Sequence, residues 1–409
     1  MGRTKDGALG NRFFVLLTSS ASSNLADGIV KTALPLIAVR WTDSPVLVSG
    51  IVTAAALPWL LFALPAGLLV DKLDRRRSML VANTLRALTL LIVAAMIVTG
   101  GESVWSLYVA AFALGSAETV HDTAAQSLLP GVVPNSLLER ANGRLSAAEV
   151  TTNTFIGPPL GGFLVASGVV LGVVGPAGLW ALAVVVLLAL RVERTPHAQE
   201  QQPWRSELAG GIRFVWSNLL LRSMALMVGV VNLSTSAFLA TFVVYAVGPT
   251  STLQASEVQY GVFLAAAGAG SLLGALGASR AAAAIGRGRL LAATLLGVAL
   301  FIAAPSITEI LPLLLMTFFV GGVAVASWNV ITISFRQRIT PDHLLGRVNS
   351  FYRLLTWGTI PLGALLGGIG GELVGLEMMF AIAAVIAALP LIGIAWVNET
   401  NMSHEEGLD

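Results

Sequence analysis

The chain has 409 residues, of which 56% are hydrophobic and only 11% charged, where a soluble domain carries roughly 25% charged residues. Its net charge of +2 and pI near 9.2 do not point to nucleic acid, because the basic residues sit in short breaks between apolar runs. Cysteine is absent, which excludes disulfides, thiol nucleophiles and a Cys-ligated metal, and the four histidines, His121, His197, His343 and His404, have no ligand spacing; no metal or cofactor is expected.

A bilayer is crossed by about 20 apolar residues in a helix. The first apolar run, Phe13 to Val39, follows a basic segment holding Arg3, Lys5 and Arg12. It exceeds the roughly 7–15 apolar residues of a signal peptide, so it reads as a retained first helix. In chain order, apolar runs predict twelve transmembrane helices near 13–39, 45–70, 78–99, 105–130, 145–168, 171–190, 223–247, 258–279, 288–308, 310–335, 350–371 and 376–397. Pro305, Glu309 and Pro312 divide the ninth from the tenth. Cytoplasmic loops are enriched in Lys and Arg. Alternate breaks hold Lys72 with Arg75 to Arg77, then Arg140 and Arg144, Arg191 to Arg222, Arg280 to Arg289, and Arg336 to Arg347. The opposite loops hold Arg40 and acidic residues such as Glu102, Glu257, Glu309 and Glu372. Both termini are therefore expected to be cytoplasmic. Abundant Ala, Arg and Gly beside few Lys point to a GC-rich bacterial source, and the expected location is the bacterial inner (cytoplasmic) membrane.

The predicted fold is an all-α membrane protein of two pseudo-symmetric six-helix halves. PNSLLERANGRL from Pro134 repeats as PDHLLGRVNSFY from Pro341, with Leu137/Leu344, Leu138/Leu345, Arg140/Arg347 and Asn142/Asn349 coinciding at an offset of 341 − 134 = 207 residues. Each copy lies between the fourth and fifth helices of its half and precedes a Gly/Pro-rich helix, a weak internal symmetry of the kind transporters carry. The expected divisions are an N-terminal half over 1–190, a linker over 191–222, a C-terminal half over 223–397 and a tail over 398–409. In the linker, Leu208, Ile212, Val215 and Leu219 recur at helical spacing, reading as an amphipathic helix on the inner leaflet or a plain connection.

The loop GLLVDKLDRRR from Gly67 and the run GPPLGG from Gly157 carry a resemblance to the major facilitator superfamily. Gly67, Asp71, Lys72, Arg75 and Arg76 match that superfamily's loop pattern, with Asp74 where the pattern prefers Gly. Gly157, Pro158, Gly161 and Gly162 resemble the core of its exporter motif. SLLPGVVPNSLLERANG and GRVNSFYRLLTWGTIPLGALLGG look most like the enterobactin-exporter and macrolide-efflux branch of drug:proton antiporters. The resemblance implies a latch at the inner mouth, in which Asp71 meets the start of the eleventh helix and Arg353 adds a charge contact. It also implies that the first, fourth, seventh and tenth helices line a central cavity.

Ionisable residues at membrane depth are costly, at least about 2.5–3.5 kcal/mol on insertion scales, and read as functional. Asp27 lies near the middle of the first helix with Lys31 one turn on; Glu118 lies in the fourth with Asp122 four residues on. A carboxylate that alternates between dry and paired environments binds a proton in one and releases it in the other. A cationic substrate competes for the same group. Asp27 can equally be locked to Lys31, and Glu118 has no evident partner. Arg86 and Asp122 share a depth of about 12 Å at 1.5 Å per residue, which predicts a structural Arg86–Asp122 pair, although Asp122 can instead meet Arg75. His121 reads as packing. Asn24, Asn232, Trp328 and Asn329 are candidate polar or aromatic cavity residues.

The leading expectation is proton-coupled efflux of an amphipathic or cationic small molecule by alternating access, by a monomer surrounded by membrane lipids. Alternatives are a siderophore exporter or a lysolipid flippase on the same fold and, from another class, a non-transporting sensor or assembly partner. No Lys follows a Gly, so no phosphate-binding P-loop is present. No paired acid and base or triad suggests an enzyme.

Overall fold

The computed structural model describes residues 9–190, 204–397 and 399–405; the side chains of 63–72, 135, 204–209, 211, 342, 343, 346, 350, 353 and 395 lie outside that description. The described chain is helical. The first elements are α1 Asn11–Ala38, α2 Pro45–Lys72, α3 Arg75–Val98, α4 Val104–Leu128, α5 Leu138–Glu149, α6 Gly157–Ser167 and α7 Val169–Leu188. After these come α8 Trp204–Ser217, α9 Leu219–Ala246, α10 Glu257–Ile285 and α11 Arg287–Ala303. The last are α12 Leu311–Ile339, α13 Asp342–Val374, α14 Leu376–Ala388 and α15 Glu399–Glu405. A π turn, Val150–Ile156, joins α5 to α6.

The starts and stops have local causes. Asp74 caps α3 by accepting from the Arg77 backbone N–H at 3.0 Å, and Asn218 caps α9 through Leu221 at 2.9 Å. Both satisfy donors that a helix leaves orphaned at its first turn. Asp74 therefore closes the turn at φ −68°, with no need of the glycine that the resembled pattern prefers. Gly375 at φ +83° divides α13 from α14, a conformation costly for any side chain.

Every expected apolar run coincides with a helix or helical run. Ten helices among the described residues are long and apolar enough to cross a membrane. The expected fourth and fifth are not among them: Glu118, His121 and Asp122 dilute α4, and the π turn divides Leu138–Ser167 into short pieces. The helices are inside-out amphipathic. On α3, Val81, Leu85, Leu88 and Ile92 form an exposed stripe while Asn83 and Arg86 are buried, the reverse of a water-facing helix.

The chain divides into two compact units. The first holds α1, α2 from Ala54, α3 to α7 and the opening of α10, Ser256–Gly261; the second holds Thr42–Thr53, α8, α9, α10 from Val262 and α11 to α15. In the first, Phe13, Leu16, Met79, Leu128 and Leu187 build one core. In the second, Phe238 lies 4.9 Å from Phe301 and 5.0 Å from Phe380, ring to ring. The amphipathic α8 buries Val215 against Leu221, Ala225, Val348 and Tyr352 of its own unit. The expected tail at 398–409 contains a docked helix, α15, with Met402 buried.

Candidate functional site

In the first unit, α1 carries its polar residues on one stripe: Ser20, Ser23, Asn24, Asp27 and Lys31 fall three or four residues apart. Two ion pairs leave that stripe, and they differ in access. Arg86 of α3 places Nη1 3.3 Å from Asp27 Oδ1, with side-chain exposures of 0% and 7%. The same nitrogen donates to Ser23 Oγ at 3.2 Å, and the guanidinium lies 5.5 Å from the ring centre of Trp180. A charge buried this deeply needs such partners, because desolvation costs several kcal/mol per ion. The face of Trp180 adds a cation–π contact.

The second pair is open. Lys31 Nζ lies 3.3 Å from Glu118 Oε1, with side-chain exposures of 54% and 16%. Nζ also donates to Asn153 Oδ1 at 3.4 Å, and Asn153 Nδ2 lies 3.5 Å from Asn24 Oδ1. Asn153 sits on the π turn. Immediately downstream, Pro158 and Pro159 lack the N–H groups that the carbonyls of Thr154 and Phe155 need in an α-helix, a standard cause of helix distortion. The turn packs against Gly28 of α1, where an added Cβ would run into the carbonyl of Asn153.

His121 Nδ1 lies 3.0 Å from Asp122 Oδ1; His121 is buried and the Asp122 side chain is 33% exposed. Glu149, at the end of α5, stands within electrostatic range of Asp122, Lys31 and Glu118.

Partner choice therefore departs from expectation. Asp27 engages Arg86 instead of Lys31, and Lys31 takes Glu118, for which no partner was evident. The expected Arg86–Asp122 pair gives way to Arg86–Asp27 and His121–Asp122. Equal depth fixes height along two helices but not the direction each side chain faces. Arg75 instead donates to the carbonyl of Ser127. Arg76 donates to the carbonyls of Leu187 and Leu188 at 3.1 and 2.8 Å, so both tie α3 to the ends of neighbouring helices. Of the expected latch, the side chains of Asp71, Lys72 and Arg353, with Gly67, lie outside the described residues. Gly157, Pro158, Gly161 and Gly162 are buried; the first and third face Gly28 and Ile29 of α1, and Gly162 faces the backbone of Glu257. Asn83, Ser23, Trp180, Asn153 and Glu149 escaped sequence reasoning. The only advance signal was the Pro-Pro pair just after Asn153.

The second unit holds a different site, a cavity of about 110 Å³ lined by Asn232 and Thr235 of α9, Thr294 of α11, Trp328 and Asn329 of α12, Thr356 of α13 and valine and leucine side chains. None of these groups titrates. Buried Thr235 Oγ1 has no hydrogen-bond partner among the described residues.

Residues 9–406 match a family described as transmembrane secretion effector. The multidrug efflux pump Tap of Mycolicibacterium fortuitum is 28% identical, covering 97% of this chain and 97% of its own. The enterobactin exporter EntS of Shigella boydii is 26% identical, covering 90% of this chain and 86% of its own. The solved nucleoside transporter NupG matches with a TM-score of 0.72 at 14% identity, covering 94% of this chain and 98% of that one, a likeness of fold alone.

Proposed function

The chain belongs to the transmembrane secretion effector family of the major facilitator superfamily, as a multi-pass membrane transporter and not an enzyme, and we propose that it exports amphipathic or cationic small molecules in exchange for protons. Coupling is seated at Glu118. The observation that carries this is the contrast between the two ion pairs: Asp27–Arg86 is sealed, whereas Glu118–Lys31 is partly open. An exchangeable carboxylate at membrane depth accepts a proton or a substrate cation, and loses either when an opposing cation approaches. Asp27 then serves as the anchor for Arg86. In the second unit, Asn232, Trp328 and Asn329 line an uncharged cavity suited to neutral and apolar groups.

The multidrug efflux relative favours this reading. The enterobactin-exporter relative favours a second, export of an anionic siderophore. Against it, the carboxylates Asp27, Glu118, Asp122 and Glu149 share one neighbourhood with only Lys31 and Arg86 as permanent cations.

The proposal counts α4 and Leu138–Ser167 as spans beside the other ten helices, with both termini cytoplasmic. The chain lacks cysteine, so single replacements report topology directly. Glu102→Cys in whole cells is expected to react with a membrane-impermeant thiol reagent, and Ser403→Cys only after permeabilisation. The function is tested in proteoliposomes loaded to a defined pH. Wild type is expected to accumulate a lipophilic cation only under an imposed proton gradient, and Glu118→Gln to lose that accumulation. Wild-type accumulation indifferent to the gradient would overturn proton coupling.

A further inference from the structure

Glu118 already holds a cation, and that cation is part of the chain. Lys31 Nζ is 3.3 Å from Glu118 Oε1, yet its side chain is 54% exposed. The ammonium therefore sits at the accessible end of the pair. Nζ also donates to a second acceptor, Asn153 Oδ1 at 3.4 Å. Asn153 is held in place from both sides: its amide faces Asn24 at 3.5 Å, and its backbone packs on Gly28, where no side chain fits between α1 and the π turn.

We infer that Lys31 is a built-in competitor for the cation site at Glu118, and that Asn153 receives its ammonium when a cationic substrate takes its place. The inference rests on the reading that Glu118 binds cationic substrate, and it adds the device that sets affinity there. An ammonium tethered to α1 competes at a high effective concentration, as any linked ligand does. A substrate must outbid it, which screens out cations that bring little apolar contact. Asn153 lowers the cost of the exchange, because the displaced ammonium keeps a hydrogen-bond acceptor there besides water. The neighbouring carboxylates Asp27, Asp122 and Glu149 all act on Lys31 or Glu118 at longer range, and Arg86 and His121 face the same cluster. None of these touches Nζ within the distances of Glu118 and Asn153.

The test is equilibrium binding of tetraphenylphosphonium to the purified full chain in detergent. Lys31→Met is expected to bind about five-fold more tightly than wild type, the upper range of an exposed ion pair. Lys31→Gln serves as the second variant should Lys31→Met fold poorly. In a Glu118→Gln background, removing Lys31 is expected to change nothing. Asn153→Ala is expected to weaken binding with Lys31 present and to have no effect in Lys31→Met. A merely structural role for Asn153 would instead persist in that background. If Glu118→Gln weakens binding but Lys31→Met leaves it unchanged or weaker, the competitor is disproved and the Glu118 site stands. Should Glu118→Gln bind like wild type, the site reading and the competitor fall together.

Discussion

In the first unit the middle of α1 carries Asp27 and Lys31. The middle of α9 in the second unit holds Ser234, Thr235 and Phe238 and no charge. On α4 and α12, at the 207-residue offset of the internal repeat, the corresponding places are Glu118 and Val325, then Asp122 and Asn329. Similar helices thus hold a titratable cluster in one unit and an aromatic core beside an uncharged cavity in the other. Val325 and Asn329, at the places of the acidic pair, both line that cavity. Phe238, in that stretch of α9, is fully buried among aromatic rings, where each edge-to-face pair adds about 0.5–1.5 kcal/mol beyond its buried area. Charges in lipid are expensive. Their restriction to one unit fits the proposal that proton exchange uses them and that recognition of a neutral surface does not.

The comparison can be broken most directly at its first position. Asp27→Asn leaves Arg86 buried and unpaired and is expected to cost about 3–5 kcal/mol, read as a large fall in melting temperature. Ser234→Ala is expected to stay within about 0.5 kcal/mol of wild type. Adding Arg86→Met to Asp27→Asn should recover most of the loss, and equal costs at 27 and 234 would erase the contrast. The next position reverses the order. Phe238→Ala is expected to cost about 3 kcal/mol, whereas Lys31→Met should change stability by less than about 1 kcal/mol.

A smaller effect sharpens the packing side. Gly157 faces Gly28, and a Cβ there would lie 2.7 Å from its Cα. Gly157→Ala is therefore expected to cost about 1–3 kcal/mol through overpacking, measured in the same melts. Gly363 of the second unit heads the same Gly-x-x-Leu-Gly-Gly run and faces the backbone of Leu233 on α9.

The smallest effect concerns α15. Partial burial pushes the Glu399 carboxyl up, but bonds from the Arg287 side chain and backbone outweigh this and hold it below its ordinary 4.5. The two contacts measure 2.7 Å each. A lowered carboxyl contributes stability that is complete above its ordinary value and is lost as pH falls through the lowered one. With the Glu399 side chain 50% exposed, the contribution is about 0.2–1 kcal/mol. Amide exchange over 399–405, corrected for intrinsic rate, is expected to hold steady from neutral pH to about 5 and to rise on further acidification.

The helices were legible because apolar runs of bilayer length leave little choice, and Pro305 with Pro312 marked the narrow break before α12. The ionisable residues of the site other than Glu149 were legible for the same reason, as charges where lipid forbids them. Their pairing was not. Arg86 reaches Asp27 on α1, and the direction in which a side chain leaves its helix depends on packing among several helices at once. The π turn that presents Asn153 follows from Pro158 and Pro159, but the sequence read alone shows only a Gly/Pro-rich helix. Thr294 of α11 lines the cavity of the second unit, a place that a lone threonine in an apolar run does not reveal.

The central claim is that coupling resides in the first unit and recognition in the second. Proton movement accompanying transport, measured in proteoliposomes across a panel of amphipathic compounds, tests it directly in Glu118→Gln and Trp328→Ala. The account predicts that Glu118→Gln moves no proton with any compound, while Trp328→Ala carries fewer compounds and still moves a proton with each. Proton movement that survives in Glu118→Gln, or disappears in Trp328→Ala while transport continues, would contradict it.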